Sequence, residues 1–312
     1  MLTTIPSTPD PNLIPSDTFT LQPDWYFNLD ASYGELAYTY ALVANEDARV
    51  YASLKAASNS SSHYTLLPTH PAYVAIVNSQ TIDGKSFVEL QSGLWMASDD
   101  LQVVTPSTFR GILLNQQVDF RFGWVLTDTQ SSNAAGMLIE SYSRYQVILE
   151  IPNREQRVGY VSIGDDEWLP EESLALTDAG VPKAAGRYQC RFIHVDLASQ
   201  ILRAYDACQL VFTTLVSTGE NPAWTFPGRF FINHKEADAH LTSPNELISA
   251  YYLESVPYFM SYYGDLGLHG VYWHDSFGMP VSHGCINLSP ADSRWLYEWA
   301  NLGDLVIISS GD

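Results

Sequence analysis

The segment GLHGVYWHDSFGMPVSHGCINLSP, residues 267–290, concentrates reactive side chains in a chain that has few of them. It holds three of the eight histidines and one of the three cysteines, namely His269, His274, His283 and Cys285. Imidazole and thiol groups crowded in this way indicate either a metal site or a thiol activated as a nucleophile.

A zinc site is the first interpretation, because histidine and cysteine are ordinary zinc ligands. The spacing gives it little support. His269 and His274 are five residues apart, His283 and Cys285 are two apart, and the chain contains neither CxxC nor HExxH. A zinc-dependent hydrolase that uses these four side chains therefore stays open only as an alternative.

A thiol nucleophile is the second interpretation. A cysteine reacts at neutral pH only where a neighbour favours its thiolate, and an imidazole such as that of His269 can do so. Gly284 lets the backbone turn sharply, expose the sulfur of Cys285 and offer N–H groups to an oxyanion. Taken alone, the same residue types also fit a core cysteine packed beside buried histidines.

The complete string is more specific than the cysteine–histidine pair. LHG at 268–270, a spacer and SHGCINLSP at 282–290 together resemble the signature of the YkuD-type L,D-transpeptidases. Similarity extends to TFPGRF at 225–230 and VPYFMSYYGDLGLHG at 256–270, so that the resemblance covers about residues 185–312. One departure is Phe226, which stands where the family usually has proline.

The resemblance implies a catalytic role for three residues. Cys285 would attack the carbonyl of the third, L-centred residue of a peptidoglycan tetrapeptide stem and expel the terminal D-Ala. His269 would be the base that keeps Cys285 as a thiolate, and the backbone carbonyl of Gly270 would orient it. Passing the acyl group to a neighbouring stem would give a 3→3 cross-link, whereas water or a protein lysine as acceptor would make a carboxypeptidase or an anchoring enzyme.

The resemblance also implies supporting roles. Backbone N–H groups of His283, Gly284 and Cys285 would surround the oxyanion, and Ser282 and Asn287 would hold the loop by hydrogen bonds. Candidates for the pocket wall are Tyr262, Tyr263 and His274. The simpler interpretation of the two tyrosines is a place in the core, and that of His274 is a supporting place behind the site.

The expected partners are peptidoglycan stem peptides and carbapenem inhibitors, and no metal or organic cofactor is implied. The formal net charge of −20 argues against binding to nucleic acid or to anionic lipid. We expect a monomer. A non-catalytic wall-binding protein and a general cysteine peptidase remain as alternatives.

Short runs rich in Val, Ile, Phe and Tyr, separated by turn residues, predict a mainly β fold. GLWMASDDL at 93–101 and DEWLPEESL at 166–174 suggest an internal repeat anchored by Trp95 and Trp168, with coincidence as the alternative. A YkuD-like β-sandwich catalytic domain would then follow one or two small SH3-like β-barrels. The predicted parts are a Pro-rich linker at 1–24, an SH3-like module at 25–115, a second small β module at 116–182 and the catalytic domain at 185–312.

Two local structures are predicted within the last part. SPADSRWLYEWANLG at 289–303 predicts a helix with Ser289 at the N-cap, which Gly303 ends. Residues 191–219 predict a three-stranded meander, in which a turn at 197–200 would place Cys190 nearly opposite Cys208. A disulfide between these cysteines is one hypothesis, and two buried thiols are the other.

The chain contains neither an apolar run long enough to cross a membrane nor the pattern of a signal peptide. Its Pro-rich start is typical of an extended linker. An extracytoplasmic location is nevertheless expected, because the substrate that the resemblance implies lies in the cell envelope.

Overall fold

The computed structural model describes residues 24–67, 71–151, 157–186, 190–243 and 250–311. The predicted Pro-rich linker therefore lies almost entirely outside the described residues. Within them, strands far outnumber helices, and the mainly β fold predicted from the sequence is confirmed. None of the described helices is long and apolar enough to span a membrane.

The first part of the chain forms a small β module, and its first and last strands pair outside the module. Its elements are β1 (Tyr26–Asn28), β2 (Thr39–Val43), β3 (Arg49–Val50), α1 (Leu54–Ser58), β4 (Thr65–Leu66), β5 (Ala72–Ile82), β6 (Lys85–Leu90), β7 (Trp95–Ala97), β8 (Leu101–Val103) and β9 (Ile112–Leu114). Strand β2 lies between β5 and β8, and β5, β6 and β7 form an antiparallel meander. Val74, Leu90 and Met96 are fully buried in its core.

The second part forms another small β module. Its strands are β10 (Phe122–Val125), β11 (Thr129–Ser132), β12 (Leu138–Tyr142), β13 (Val147–Leu149), β14 (Tyr160–Gly164), β15 (Glu167–Pro170) and β16 (Leu174–Thr177). They pair in the orders β13-β10-β16 and β12-β11-β15-β14. Phe122, Trp124 and Leu169 are fully buried.

The two segments that suggested a repeat have the same local structure. In each, a strand that carries a buried tryptophan, Trp95 or Trp168, leads into one 3-10 turn and then into the last strand of the module. The turns are Ser98–Asp100 and Glu171–Ser173. This agreement favours a repeat over coincidence.

The third part contains the strands that carry the reactive segment. Its elements are β17 (Phe192–Asp196), β18 (Ile201–Asp206), β19 (Gln209–Leu215), β20 (Gly228–Phe231), β21 (His234–Ser243), β22 (Tyr251–Tyr263), β23 (Leu266–Gly270), β24 (Ile286–Leu288), α2 (Pro290–Trp299) and β25 (Leu305–Ser309). Strands β17, β18 and β19 form the predicted meander. Cys190 and Cys208, at its open end, are joined by a disulfide.

Two large sheets face each other across the main core. In the described residues, one sheet has the order β1-β9-β19-β18-β17-β25-β20, and the other contains the path β24-β23-β22-β5-β2-β8. Alternation along β17 turns Ile193 and Val195 toward Met260, Leu268 and other apolar side chains of the second sheet. The opposite face of β17 packs on the second module, because Phe192 contacts the cluster that contains Trp124.

The modules are joined to the third part through the sheets themselves. Strand β5 pairs in parallel with β22, so the first module continues the sheet that carries β23 and β24. Strands β1 and β9, at the two ends of the predicted 25–115 module, belong to the other sheet, because β9 pairs with β19. The first module is therefore joined to the third part at two places, by the pairing of β5 with β22 and by that of β9 with β19.

Helix α2 begins where the sequence predicts and ends earlier. Ser289 Oγ accepts a hydrogen bond from Asp292 N at 3.2 Å, which caps the helix. The buried carboxylate of Asp292 accepts hydrogen bonds from Gly111 N at 2.8 Å and Thr214 Oγ1 at 2.5 Å, and thereby ties α2 to the residue before β9 and to β19. The helix ends at Trp299, four residues before Gly303.

Candidate active site

Sheet pairing brings the two halves of the signature together. Strands β23 and β24 are parallel neighbours, and their register sets His269 opposite Asn287. On its other side Asn287 forms a bridge with Ser217. Cys285 immediately precedes β24. The residues that follow it are therefore held by β23 on one side and by the bridge to Ser217 on the other.

Gly284 makes the turn that presents the thiol. Its φ of +113° lies in the region that glycine tolerates, and an added Cβ would meet Leu266 Cδ2 at 3.0 Å. Its carbonyl oxygen accepts a hydrogen bond from Thr225 Oγ1 at 2.8 Å. Any larger side chain at this position would therefore strain the backbone next to Cys285.

Ser282 closes the same loop with two hydrogen bonds. Its hydroxyl donates to the carbonyl oxygen of Cys285 at 2.5 Å and accepts from Gly284 N at 3.1 Å. The N–H group of Gly284, one of the expected oxyanion donors, is thus occupied in this structure. The loop-holding role expected of Ser282 corresponds to these contacts.

His269 is buried and bonded at both ring nitrogens. Nδ1 lies 3.0 Å from the carbonyl oxygen of Gly270, and Nε2 lies 3.2 Å from Asn287 Nδ2. Burial lowers the pKa of His269 to about 4, although the bond to Gly270 opposes the change. The imidazole is therefore neutral at physiological pH.

The thiol of Cys285 is not bonded to His269. It donates instead to the carbonyl oxygen of Asp265, at a sulfur–oxygen distance of 3.9 Å. Burial raises the pKa of Cys285 to about 11, and a backbone hydrogen bond from Gly267 only partly offsets this. The two pKa shifts thus favour a neutral thiol and a neutral imidazole in the resting site, whereas the resemblance implies a thiolate.

His274 lies on the far side of Asn287 from His269. Its Nε2 is 3.1 Å from Asn287 Oδ1, and its Nδ1 accepts a hydrogen bond from Ser276 N at 3.2 Å. Burial lowers its pKa. Among the described residues no group of three His, Cys, Asp or Glu side chains is arranged to hold a metal ion, so the geometry does not favour the zinc interpretation.

Two cavities meet at Cys285. The first, of about 320 Å³, also contains His269, His274 and Trp273 on its wall. The second, of about 720 Å³, opens on the other side and includes Asp265. Both are lined by Leu241, Tyr251, His283 and Cys285. The sulfur can therefore be approached from two directions.

Of the three expected pocket residues, His274 lines the first cavity and the two tyrosines line neither cavity. Tyr262 is buried in the core beside Met260, and Tyr263, the next residue along β22, is 58% exposed, so that neither lines the two cavities. Strand alternation sends one ring inward and the other to solvent. Tyr251, at the start of the same strand, lies against both cavities.

The first module supplies part of the first cavity. Pro71, just before β5, and Tyr73, within it, line its wall. The ring of Tyr73 lies 6.1 Å from that of Trp273, which itself lies 6.0 Å from His269. No pattern within residues 267–290 could have indicated these side chains, because they come from a strand about two hundred residues earlier in the chain.

Comparison with known proteins identifies a family for the part of the chain that carries this site. Residues 191–308 match the family model of the L,D-transpeptidase catalytic domain, YkuD. The resemblance seen in the sequence is thereby confirmed for this part of the chain. No match was found among curated proteins.

Several solved L,D-transpeptidase structures are similar to part of the chain. A crystal structure of a cysteine-to-serine mutant of the Enterococcus faecium enzyme is 27% identical, over 38% of this chain and 50% of that chain, with a TM-score of 0.36. The catalytic domain of that enzyme acylated by ertapenem is 28% identical, over 39% and 99%, with a TM-score of 0.35. An L,D-transpeptidase from Stackebrandtia nassauensis is 31% identical, over 39% and 56%, with a TM-score of 0.31. This chain spans about half the length of the Enterococcus mutant.

Proposed function

We propose that this chain is a peptidoglycan L,D-transpeptidase in which Cys285 carries the acyl group and His269 moves the proton. The family match over residues 191–308 supports the reaction class. The observation that carries the proposal is the position of Cys285 in the wall shared by two cavities, because a transferase must bring a donor and an acceptor to one sulfur.

Acylation begins from the neutral pair. As the sulfur attacks the carbonyl carbon of the third stem residue, the thiol proton passes to Nε2 of His269, which Asn287 must release. The carbon–nitrogen bond to D-Ala then breaks, and His269 returns the proton to the leaving amine. A thioester on Cys285 and a free D-Ala are the products.

Deacylation uses the second cavity. An amine on a neighbouring stem gives a proton to His269 and attacks the thioester, which forms the cross-link and restores the thiol. The exposed carboxylate of Asp265 on that cavity wall suits an acceptor that arrives as an ammonium ion. Water or a protein lysine as acceptor would give the carboxypeptidase or anchoring reaction by the same steps.

The oxyanion formed in each step needs backbone donors. Because the N–H group of Gly284 donates to Ser282, we assign this role to the N–H groups of His283 and Cys285. Trp273 and Tyr251 line the first cavity together with Cys285 and His269.

The two N-terminal parts, 25–115 and 116–182, are proposed as SH3-like modules, and the site is proposed to act in the cell envelope outside the cytoplasm. The shared sheet and the place of Tyr73 in the first cavity support treating the first module as part of the catalytic unit. It then acts as a fixed wall for the donor rather than as a spacer.

The experiment is intact-protein mass spectrometry after incubation with ertapenem in the presence of a chelator, on wild type and on Cys285→Ala. One adduct on wild type alone is expected, because Cys190 and Cys208 are bonded to each other and Cys285 is the remaining thiol. A tetrapeptide stem with a second stem as acceptor should then yield cross-linked product and D-Ala in equal amounts.

Three other outcomes would refute the proposal in different ways. Activity that the chelator abolishes would favour the zinc-dependent hydrolase. Wall binding that survives in Cys285→Ala, without turnover by wild type, would favour a non-catalytic wall-binding protein. Cleavage of ordinary L-peptides would indicate a general cysteine peptidase.

A further inference from the structure

A line of four hydrogen bonds, here called the relay, runs behind the catalytic histidine. It passes from Ser276 N to His274 Nδ1 at 3.2 Å and from His274 Nε2 to Asn287 Oδ1 at 3.1 Å. It continues from Asn287 Nδ2 to His269 Nε2 at 3.2 Å and from His269 Nδ1 to Gly270 O at 3.0 Å. Both ends of the relay are backbone groups.

The two ends dictate the direction of every bond between them. The N–H group of Ser276 can only donate, so His274 accepts at Nδ1 and carries its hydrogen on Nε2. The carbonyl of Gly270 can only accept, so His269 carries its hydrogen on Nδ1 and has its lone pair on Nε2. One orientation of the Asn287 amide satisfies both rings, with Oδ1 toward His274 and Nδ2 toward His269.

We propose that His274 is a positioning residue that holds His269, through Asn287, in the tautomer whose Nε2 can accept a proton. His274 does not touch the thiol, and its effect on the reaction rests on the function proposed above. If the Asn287 amide turned over, its oxygen would face His269 Nε2 and favour a hydrogen there. A ring with that hydrogen could not act as the base for Cys285.

The segment that carries His274 is held by parts of the chain outside the family match. Its neighbour Asp275 accepts hydrogen bonds from Ser107 Oγ at 2.6 Å and Tyr145 Oη at 3.1 Å. Arg144 adds an ion pair of 3.5 Å and donates to the Asp275 carbonyl at 2.6 Å. The second module and the loop between β8 and β9 therefore anchor the segment that carries His274.

The test combines an observation of the tautomer with a rate. The nitrogen-15 shifts of the His269 ring report which nitrogen carries hydrogen, and mass spectrometry gives the rate of acylation by ertapenem. His274→Phe keeps an aromatic ring but removes the donor to Asn287. We expect the ratio of the His269 tautomer with hydrogen on Nδ1 to that with hydrogen on Nε2 to fall by about tenfold, the effect of losing about one hydrogen bond. Acylation should slow by about 10- to 100-fold.

Matched variants separate positioning from general damage. His274→Gln retains a donor and an acceptor and should recover most of both signals. His63→Phe removes an exposed imidazole of the first module and should change neither. Asn287→Asp replaces the donor toward His269 by an acceptor and should move the hydrogen to Nε2, which provides a second test if His274→Phe does not fold.

The outcomes for the relay and for the enzyme are distinct. An unchanged His269 tautomer in His274→Phe, or in Asn287→Asp, would overturn the positioning role. If His274→Phe shifts the His269 tautomer but ertapenem does not acylate even the wild-type protein, the result would support the relay and count against the transpeptidase. Loss of acylation in His274→Phe without a tautomer shift would also overturn the role, because the damage would then be structural.

Discussion

The charge state of the resting thiol is open to a direct test by varying the pH. With a pKa of about 11 for Cys285 and about 4 for His269, the site at pH 7 is a neutral pair. The thiolate is then about one part in ten thousand, roughly three hundred times less than for a thiol with a pKa of about 8.5. Alkylation by iodoacetamide, which needs the thiolate, should therefore be slow at pH 7 and rise about tenfold per pH unit up to about pH 10.

Acylation by ertapenem should behave differently. Here the proton moves to His269 during attack, and this base stays neutral at any pH well above about 4. The sign follows from the direction of the shift: a lowered imidazole pKa leaves the base available at pH 7 and removes it only in acid. The acylation rate should hence be nearly constant from about pH 6 to 9.

The two pH profiles are measured on the same samples by intact-protein mass spectrometry. His269→Gln serves as the control, since it should reduce acylation by about 10²- to 10⁴-fold while leaving the alkylation profile in place. An alkylation rate that reaches a plateau below pH 7 would refute the reasoning. It would show that the resting site is a thiolate–imidazolium pair.

Three further predictions concern the walls and supports of the site. Tyr73→Ala should raise KM for the donor stem by about 2- to 10-fold with little change in kcat, by analogy with the worth of one aromatic contact, whereas Tyr64→Ala on the exposed part of the same module should not. Burial raises the pKa of Asp292 to about 6, so the folded state binds this proton more tightly than the unfolded state. The free energy of unfolding should then fall by about 2 kcal/mol as the pH rises from about 4 to 7. Urea titrations of Asp292→Asn at the two pH values should lack this component, and an equal change in wild type and variant would contradict the prediction. Replacing Cys190 and Cys208 by serine opens a loop with a sequence separation of 18, which should reduce the free energy of unfolding by about 3 kcal/mol without altering the acylation rate of the folded protein.

The reactive segment could be predicted from sequence because its chemistry is local. The glycine before Cys285, the histidine of a neighbouring strand and the helix cap at Ser289 are all encoded within about twenty residues. The state of the thiol could not be predicted in the same way. It depends on how much water the surrounding strands exclude, and a motif contains no information about burial.

The two tyrosines expected in the pocket wall were mispredicted for a related reason. Tyr262 and Tyr263 lie near the signature in sequence, yet strand β22 turns one into the core and the other to solvent. Tyr251 lies a dozen residues earlier on the same strand and reaches both cavities. Because each residue of a strand advances about 3.3 Å, side chains a dozen residues apart on one strand lie tens of ångströms apart and reach different parts of the protein.

The unit that matches the family model is smaller than the unit that builds the site. The carboxylate of Glu254, buried in β22, accepts hydrogen bonds from Ala75 N at 3.1 Å and Tyr252 Oη at 2.9 Å. Without the first module, that carboxylate loses its partner on β5, and the β22 edge that β5 covers loses its neighbour. Buried polar groups without partners are costly. Through their contacts with Glu254, Asp275 and Asp292, the N-terminal parts thus support the segments that carry the candidate site, although the family match covers only residues 191–308.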